Sequence, residues 1–377
     1  MKRLKGPAIF LAQGFGKEGW KTLEECAKTA GSLRYEGMQL PLWVDDLINL
    51  STAAMSTTYC QQLLGKAKEA GCPIVEVANH VETQLVRCTP AYQKLFDGFG
   101  PEQFRGNPKA MLAWAQERAL LSVRAAKNLG FDRVAAFSGT SIFHLMYPWP
   151  QRPAGLVQAA MNALAKAWLP VFNLGEELGV DICFELHPGE DLHDGDSFEM
   201  FLRYVDNHPR CMILLDLSHF VLAGMTMQNM LDYISTFKDR IRMFHVKDAE
   251  FNPTAGGGAY GSFNGWGSRQ GRFRSTGDGQ IDYCSVFSLL DELDLNLWAT
   301  VEWEDCAGKG WNQGVEEGAL YVNCWLAGEE GPLSIPARPH SDGAFDDFAA
   351  SNVNKALIAD ILGIPESEVN CTEPVAA

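Results

Sequence analysis

The sequence predicts an α/β fold, a (β/α)8 barrel with a C-terminal helical extension, and three observations carry the prediction. Eight short apolar runs of strand length punctuate the chain, helix-ending glycines precede three of them, and polar residues gather at the ends of the last four. Alternating helices and buried strands call for a parallel sheet, and eight such strands close it into a barrel.

The first run, 8–12, follows the basic segment Met1-Lys2-Arg3-Leu4-Lys5 and is too short for the apolar stretch of a secretory signal. The second covers 35–39. The third (74–79), fourth (132–138) and fifth (181–187) follow Glu69-Ala70-Gly71, Asn128-Leu129-Gly130 and Glu177-Leu178-Gly179 in turn. In each, an Ala/Leu-rich amphipathic segment stops at a glycine that can supply the left-handed residue of a helix end. Asn107 and Pro108 mark the start of the second of these helices as N-cap and first helical residue. The sixth run, 211–216, and the seventh, 241–247, each begin one βα unit after the run before. The eighth, 298–304, begins nearly two units after the seventh. The surplus is 251–280, rich in Gly and aromatics with no period, and reads as a long functional loop. Residues 80–107 are expected to form a second one.

Beyond Gly328 the chain changes character. Gly328-Glu-Glu-Gly-Pro332 and Ile335-Pro-Ala-Arg-Pro339 read as an extended linker, and Asp346 to Leu362 as two short helices with Gly363 near the end. The expected division is therefore a barrel over 1–328 and a linker with helical tail over 329–377. The tail is too small to fold alone and is expected to pack on its own barrel or on a neighbouring subunit of a homo-oligomer.

The 377 residues alone would allow two or three domains; the strand count turns that into one barrel. With 31 Lys+Arg against 47 Asp+Glu the net charge is −16, which argues against a nucleic-acid partner. No apolar stretch approaches the roughly 20 residues of a membrane span. Ten cysteines stand singly without C-x-x-C spacing and read as reduced thiols of a cytoplasmic protein. An open nucleotide-binding sheet is the competing architecture, but no G-x-G-x-x-G or P-loop follows a strand, and Gly256-Gly257-Gly258 opens no helix.

Strands buried on both faces carry charge only for a reason. Here the late runs end in Glu185-x-His187, Asp216-x-Ser218-His219, His245-x-Lys247-Asp248 and Glu302-x-Glu304-Asp305. Alternate residues point the same way, so each pair can project into the barrel mouth, where barrels of this kind place their active sites. Three carboxylates and an imidazole gathered there stay ionised together only with a cation. That oxygen-rich set suits one divalent ion, Mn²⁺ first, with Mg²⁺ or Co²⁺ as alternatives.

The segments Cys183-Phe-Glu-Leu-His187, Leu215-Asp-Leu-Ser-His219, Phe244-His-Val-Lys-Asp248, Gly277-Asp-Gly279 and Val301-Glu-Trp-Glu304 together resemble the xylose isomerase-like TIM-barrel superfamily, in its sugar isomerase/epimerase branch, over about 8–327. The resemblance implies Glu185, Asp216, His245 and Glu302 as metal ligands and His219 as a substrate contact. His80 also stands where such proteins contact sugar. Epimerases of this group carry an Arg six residues after the ligand His; here that position is Phe251, with Arg272 or Arg274 in the following loop as replacements. The His-x-Lys-Asp form resembles inosose dehydratases instead.

The expected activity is sugar isomerisation or epimerisation, by proton abstraction beside a carbonyl through a metal-stabilised enediolate, with Glu185 and Glu302 as the acid/base pair. The alternative is a lyase or dehydratase that eliminates from a 3-keto-glycoside, keto-sugar or inosose, with His187, His219 or Lys247 assisting the departing oxygen. Aromatics in 263–273 would shield the site. An endonuclease at abasic DNA is disfavoured by the charge and by the 8 histidines, and a non-catalytic barrel by the intact ligand set.

Overall fold

The computed structural model describes residues 4–304, 309–328, 354–369 and 371. Ten strands occur among them: β1 (Lys5–Phe10), β2 (Gly37–Pro41), β3 (Ile74–Asn79), β4 (Arg133–Ala136), β5 (Asp181–Glu185), β6 (Cys211–Asp216), β7 (Ile241–Val246), β8 (Asp248–Phe251), β9 (Gly271–Arg274) and β10 (Trp298–Val301). Strands β1 to β7 and β10 form a closed parallel barrel in which β10 lies between β7 and β1. All eight runs expected from the sequence are barrel strands. Strands β1, β4, β5, β7 and β10 stop before their predicted ends.

Helices fill the connections, among them Thr57–Ala70, Pro108–Leu129 and Leu156–Leu178. These three end at Gly71, Gly130 and Gly179, all at positive φ, as the helix–glycine–strand pattern requires. Asn107 caps the second, its side chain accepting from the Ala110 amide at 3.2 Å, with Pro108 as first residue. The barrel separates two cores. A small inner one contains Phe10, Ala78, Ala135, Cys183, Leu214 and Met243, and a large outer one fills the space between strands and helices. The inner packing makes the barrel a plugged cylinder, so only its ends can hold a site.

The long connection after β7 departs from the unstructured loop expected of 251–280. Strands β8 and β9 pair antiparallel, with Ala249 opposite Phe273 and Glu250 opposite Arg272. Ala249 and Phe273 are buried while Glu250 and Arg272 form an ion pair on the other face. This alternation is a strand signal, hidden in the sequence by the glycines around it. The hairpin's return is pinned by Asp248, whose carboxylate accepts from the backbone amides of Ala249, Gly277, Gly279 and Ile281 at 2.8–3.2 Å. Gly277 takes φ +94°, and a side chain at Gly279 would collide with that carboxylate, which accounts for the Gly277-Asp-Gly279 motif. Segment 80–107 is likewise a series of short turns, from the helix His80–Thr83 to the turn Glu102–Phe104.

The barrel's last described helix is Trp311–Ala327, capped by Gly328. Of the tail, the helix Lys355–Leu362 is described, with Asn354 as N-cap and Gly363 as its end; Asp360 pairs with Lys94 of the connection after β3. Asp305, Cys306 and the linker through 353 lie outside the described residues. The nine described cysteines are free thiols, most of them buried. No helix among the described residues is long and apolar enough to cross a membrane.

Candidate metal centre

The register of the late strands assembles the site. Asp216 at the end of β6 stands opposite His245 of β7, and His245 stands opposite Thr300 of β10, one residue before the strand's last and two before Glu302. Glu185 closes β5. The result is a buried cluster in which one ligand atom from each of Glu185, Asp216, His245 and Glu302 lies within 4.8 Å of the others.

The hydrogen bonds around the cluster orient each group. Glu185 Oε1 is 2.8 Å from His219 Nε2 and Oε2 is 3.0 Å from His80 Nε2. Glu302 Oε1 accepts from Gln13 Nε2 at 2.8 Å, while Oε2 lies 3.0 Å from His245 Nδ1 and accepts from Lys247 Nζ at 3.1 Å. Asp216 Oδ1 accepts from the Ser218 amide and hydroxyl. His245 Nε2 faces Gln39 Oε1 at 2.9 Å. Lys247 is fully buried, its ammonium 2.7 Å from Glu304, 3.4 Å from Asp216 and 4.3 Å from the centre of the Phe273 ring.

Burial alone would push these carboxyls up, yet hydrogen bonds from His219 and His80 hold Glu185 well below the usual range. The charges of Lys247 and His245 hold Glu302 down against the same burial. Burial pulls His245 down, but the Glu302 carboxylate outweighs it and brings the imidazole up to about 9. Lys247 is likewise raised, its burial overcome by Glu302, Glu304 and Asp216. Glu304 moves up, burial outweighing the adjacent lysine. His187 falls to about 3 through burial and the neighbouring His219, so it is neutral. Its Nδ1–H donates to the Pro188 carbonyl at 2.5 Å, which leaves Nε2 an acceptor.

A divalent cation fits these residues on two grounds. Three carboxylates and an imidazole are a hard donor set. Asp216 Oδ2 is buried without a hydrogen bond among the described residues; its neighbours Lys247 Nζ and His219 Nε2 stand off at 3.4 Å, which leaves a lone pair open to a metal ion. Around the cluster runs a belt of rings, from Trp43 through His80, Phe137, His187 and His219 to Phe273, with successive centroids 4.2–6.1 Å apart. Such a wall offers apolar faces and imidazole nitrogens, suited to the C–H and O–H groups of a polyol ring.

Of the residues singled out from sequence, Glu185, Asp216, His245, Glu302, His80, His187, His219 and Lys247 converge here. Arg272 is bound to Glu250, 2.9 Å from its Nε, and to the Gly267 carbonyl; Arg274 is buried, its Nε 3.8 Å from Glu250. Trp266 packs on Phe273 at 5.2 Å, while Phe263 is fully exposed. Sequence reasoning missed Gln13, Gln39 and Glu76 and gave Glu304 no role. The signal existed for two of them: Gln39 and Glu76 are polar residues in the middle of strands buried on both faces.

Fold and site together define a class: a parallel (β/α)8 barrel with an oxygen-rich, metal-type cluster at the C-terminal ends of its late strands. The xylose isomerase-like TIM barrel family model matches residues 25–323, and the chain belongs to that family. It is 28% identical over 131 residues to an inosose dehydratase of Clostridium beijerinckii, a stretch that is 35% of this chain and 43% of the relative. It thus spans less than half the length of that curated relative. Among solved structures it is similar to the probable 3-DHS dehydratase AsbF of Bacillus anthracis, with TM-score 0.57 and 14% identity over 85% of this chain and 99% of that one. It is also similar to a xylose isomerase-like TIM barrel protein of Mycobacterium smegmatis in complex with magnesium, with TM-score 0.57 and 13% identity over 86% and 97%. At those identities the likeness is one of fold.

Proposed function

We propose that the protein is a metal-dependent enzyme that removes a proton from carbon beside the carbonyl of a keto-sugar, keto-glycoside or cyclitol ketone and expels a β-oxygen substituent, a carbon–oxygen lyase. The observation that carries the reading is the buried Glu185, Asp216, His245 and Glu302 cluster. The similarity to an inosose dehydratase supports elimination as the outcome. The four residues would hold one divalent ion, which supplies Lewis acidity toward the carbonyl oxygen. Manganese is our first choice, because an open O₃N set demands less strict geometry than magnesium prefers.

The chain's own groups divide the remaining work. Glu185 takes the proton: it is ionised, and His80 and His219 hold its two oxygens in place. Lys247 is the one ammonium on the cluster, and with Glu304 beside it, it can supply charge or a proton toward a departing oxygen. Neutral His187 accepts a substrate hydroxyl. The ring belt and the β8–β9 hairpin exclude water from the carbanion.

Epimerisation is the second reading, favoured by one observation: both Glu185 and Glu302 reach the same cluster, so a proton removed on one face can be returned on the other. One experiment separates the two. Protein loaded with Mn²⁺ is incubated in D₂O with inososes, free ketoses and 3-keto-glycosides and followed by NMR. Loss of water or aglycone supports the lyase. Deuterium incorporation with every hydroxyl retained supports the epimerase, and neither event across the panel overturns the proton-abstraction reading itself. The expected setting is a cytoplasmic homo-oligomer without a nucleic-acid or membrane partner.

A further inference from the structure

Beneath the cluster lies a polar triad for which the fold has no use. Glu76 of β3 projects into the barrel, where its Oε2 accepts from Gln39 Nε2 at 3.3 Å and from Thr300 Oγ1 at 2.8 Å. All three are buried, and Glu76 Oε1 has no hydrogen-bond partner among the described residues. The inner core beside it is made of Phe10, Ala78, Ala135, Cys183, Leu214 and Met243, with the Arg133 charge acting on Glu76. A carboxyl with one oxygen unserved is an expensive occupant of such a layer, where a leucine or methionine would pack at lower cost.

The arrangement of donors explains the expense. The Gln39 amide has two ends, and each is spoken for: its nitrogen donates to Glu76 and its oxygen faces His245 Nε2 at 2.9 Å. Glu76 Oε2 is an acceptor whether or not Oε1 carries a proton, so it selects the nitrogen end of Gln39. That choice turns the amide oxygen to His245, where it accepts the Nε2–H. The remaining imidazole nitrogen, Nδ1, is the one that points into the cluster, 3.0 Å from Glu302 and 4.0 Å from Glu185. If the amide were reversed, its N–H would require the lone pair at Nε2 and place the proton on Nδ1, blocking the cation site. Orientation of a ligand imidazole by its second nitrogen is a general determinant of metal affinity.

We infer that Glu76 is a positioning residue for the metal centre: through Gln39 it fixes the His245 ring with its proton on Nε2 and its lone pair on Nδ1 aimed at the cation. The inference rests on the reading of the cluster as a metal site. Its test uses the full chain, Mn²⁺ alone and no substrate. Glu76→Met, close in volume, is expected to weaken Mn²⁺ binding measured by calorimetry by about 10- to 100-fold, while Glu76→Gln, whose carbonyl can accept from Gln39 and Thr300, stays within about threefold of wild type. Gln39→Met, which removes the acceptor directly, is expected to match Glu76→Met, and the double variant to lose no more than either single one. In ¹⁵N-histidine spectra of the Mg²⁺-loaded wild type, the His245 proton is expected on Nε2.

A Glu76→Met or Gln39→Met protein that unfolds cooperatively without metal yet binds Mn²⁺ as the wild type does would overturn the proposal. So would an Nδ1-protonated His245 in the loaded wild type. Failure of the wild type to bind any divalent ion removes the metal centre together with this inference, whereas equal binding by wild type and variants removes the inference alone.

Discussion

The two ends of the barrel solve the same electrostatic problem in opposite ways. At the N-terminal end, Asp181 is buried and Asp132 stands beside it, and three arginines neutralise them. Arg210 and Arg242 hold Asp181 at 2.9 and 2.8 Å, and Arg133 and Arg242 hold Asp132 at 2.7 and 3.1 Å. At the C-terminal end, Glu185, Asp216, Glu302 and Glu304 share one lysine and the imidazoles of His80, His219 and His245. Guanidinium groups are permanent cations with fixed forks, so the first arrangement is complete and inert. An imidazole, unlike a guanidinium, can give up a proton and offer its nitrogen to a metal, so the second leaves room for an exchangeable cation. The contrast favours the mouth as the working end of the proposed enzyme, since its network includes groups whose charge can change and the arginine network does not.

The largest effect should follow from removing a carboxylate at the mouth. Glu185→Gln is expected to lower kcat/KM on any turned-over keto-sugar by about 10³-fold, close to 4 kcal/mol, by deleting the base. The melting temperature of the metal-free protein should fall, because a carboxylate that His219 and His80 hold well below its usual range stabilises the fold, and the amide forfeits that contribution. A variant that retains a tenth or more of wild-type kcat/KM would remove Glu185 from the mechanism. Next in size is the opposite end. Arg242→Met leaves Asp181 with one guanidinium and should cost about 2 kcal/mol of stability in denaturant titration, discounted for the partial exposure of the arginine. Its Mn²⁺ affinity should be unchanged, and a loss of affinity would mean that the two ends are coupled.

The mouth's side of this contrast was legible in the sequence and the arginine end was not, and the residues show why. The eight strands could be read because each is an apolar run, three of them behind a helix-ending glycine, and the candidate cluster because Glu185, Asp216, His245 and Glu302 break such runs at their ends. Glu76 and Gln39 break runs in the middle, where a lone polar residue is hard to tell from a half-exposed strand. Their meaning depends on Thr300, 224 residues away from Glu76 in the chain. Gln13 gave no signal, since nothing local says that its amide reaches Glu302. The hairpin was hidden because Gly271-Arg-Phe-Arg274 alternates correctly but is only four residues long, within a glycine-rich segment.

The pH dependence of metal binding sharpens the comparison further. In the metal-free protein Glu302 raises His245 to about 9, so its Nδ1 carries a proton that a cation must displace. A raised histidine competes with the metal below its own pKa. Mn²⁺ affinity should therefore climb about tenfold per pH unit between about 6 and 8 and level off near 9, with about one proton released per ion bound. Calorimetry in two buffers of different ionisation enthalpy measures that proton. A flat profile would show that the mouth, like the arginine end, holds its charge fixed.

The smallest expected effect concerns Arg272, which the family resemblance offers as a substrate contact. Its guanidinium lies on Glu250 across the β8–β9 ladder and also donates to the Gly267 carbonyl, so each of its three nitrogens already donates within the hairpin. Its partly exposed ion pair should contribute at most about 1 kcal/mol. Arg272→Met is thus expected to change KM by a small factor, through a looser hairpin over the mouth, and to leave kcat nearly unaltered. If the arginine instead swings onto the substrate during turnover, the same variant lowers kcat/KM by about 100-fold, the loss expected when a charged hydrogen bond to a bound ligand is removed. Double variants with Glu250→Gln decide between these cases. A strut predicts that the second substitution adds nothing to the first. A mobile substrate contact predicts that Glu250→Gln alone leaves the arginine freer and raises activity, because the carboxylate that competes with the substrate for its guanidinium has gone.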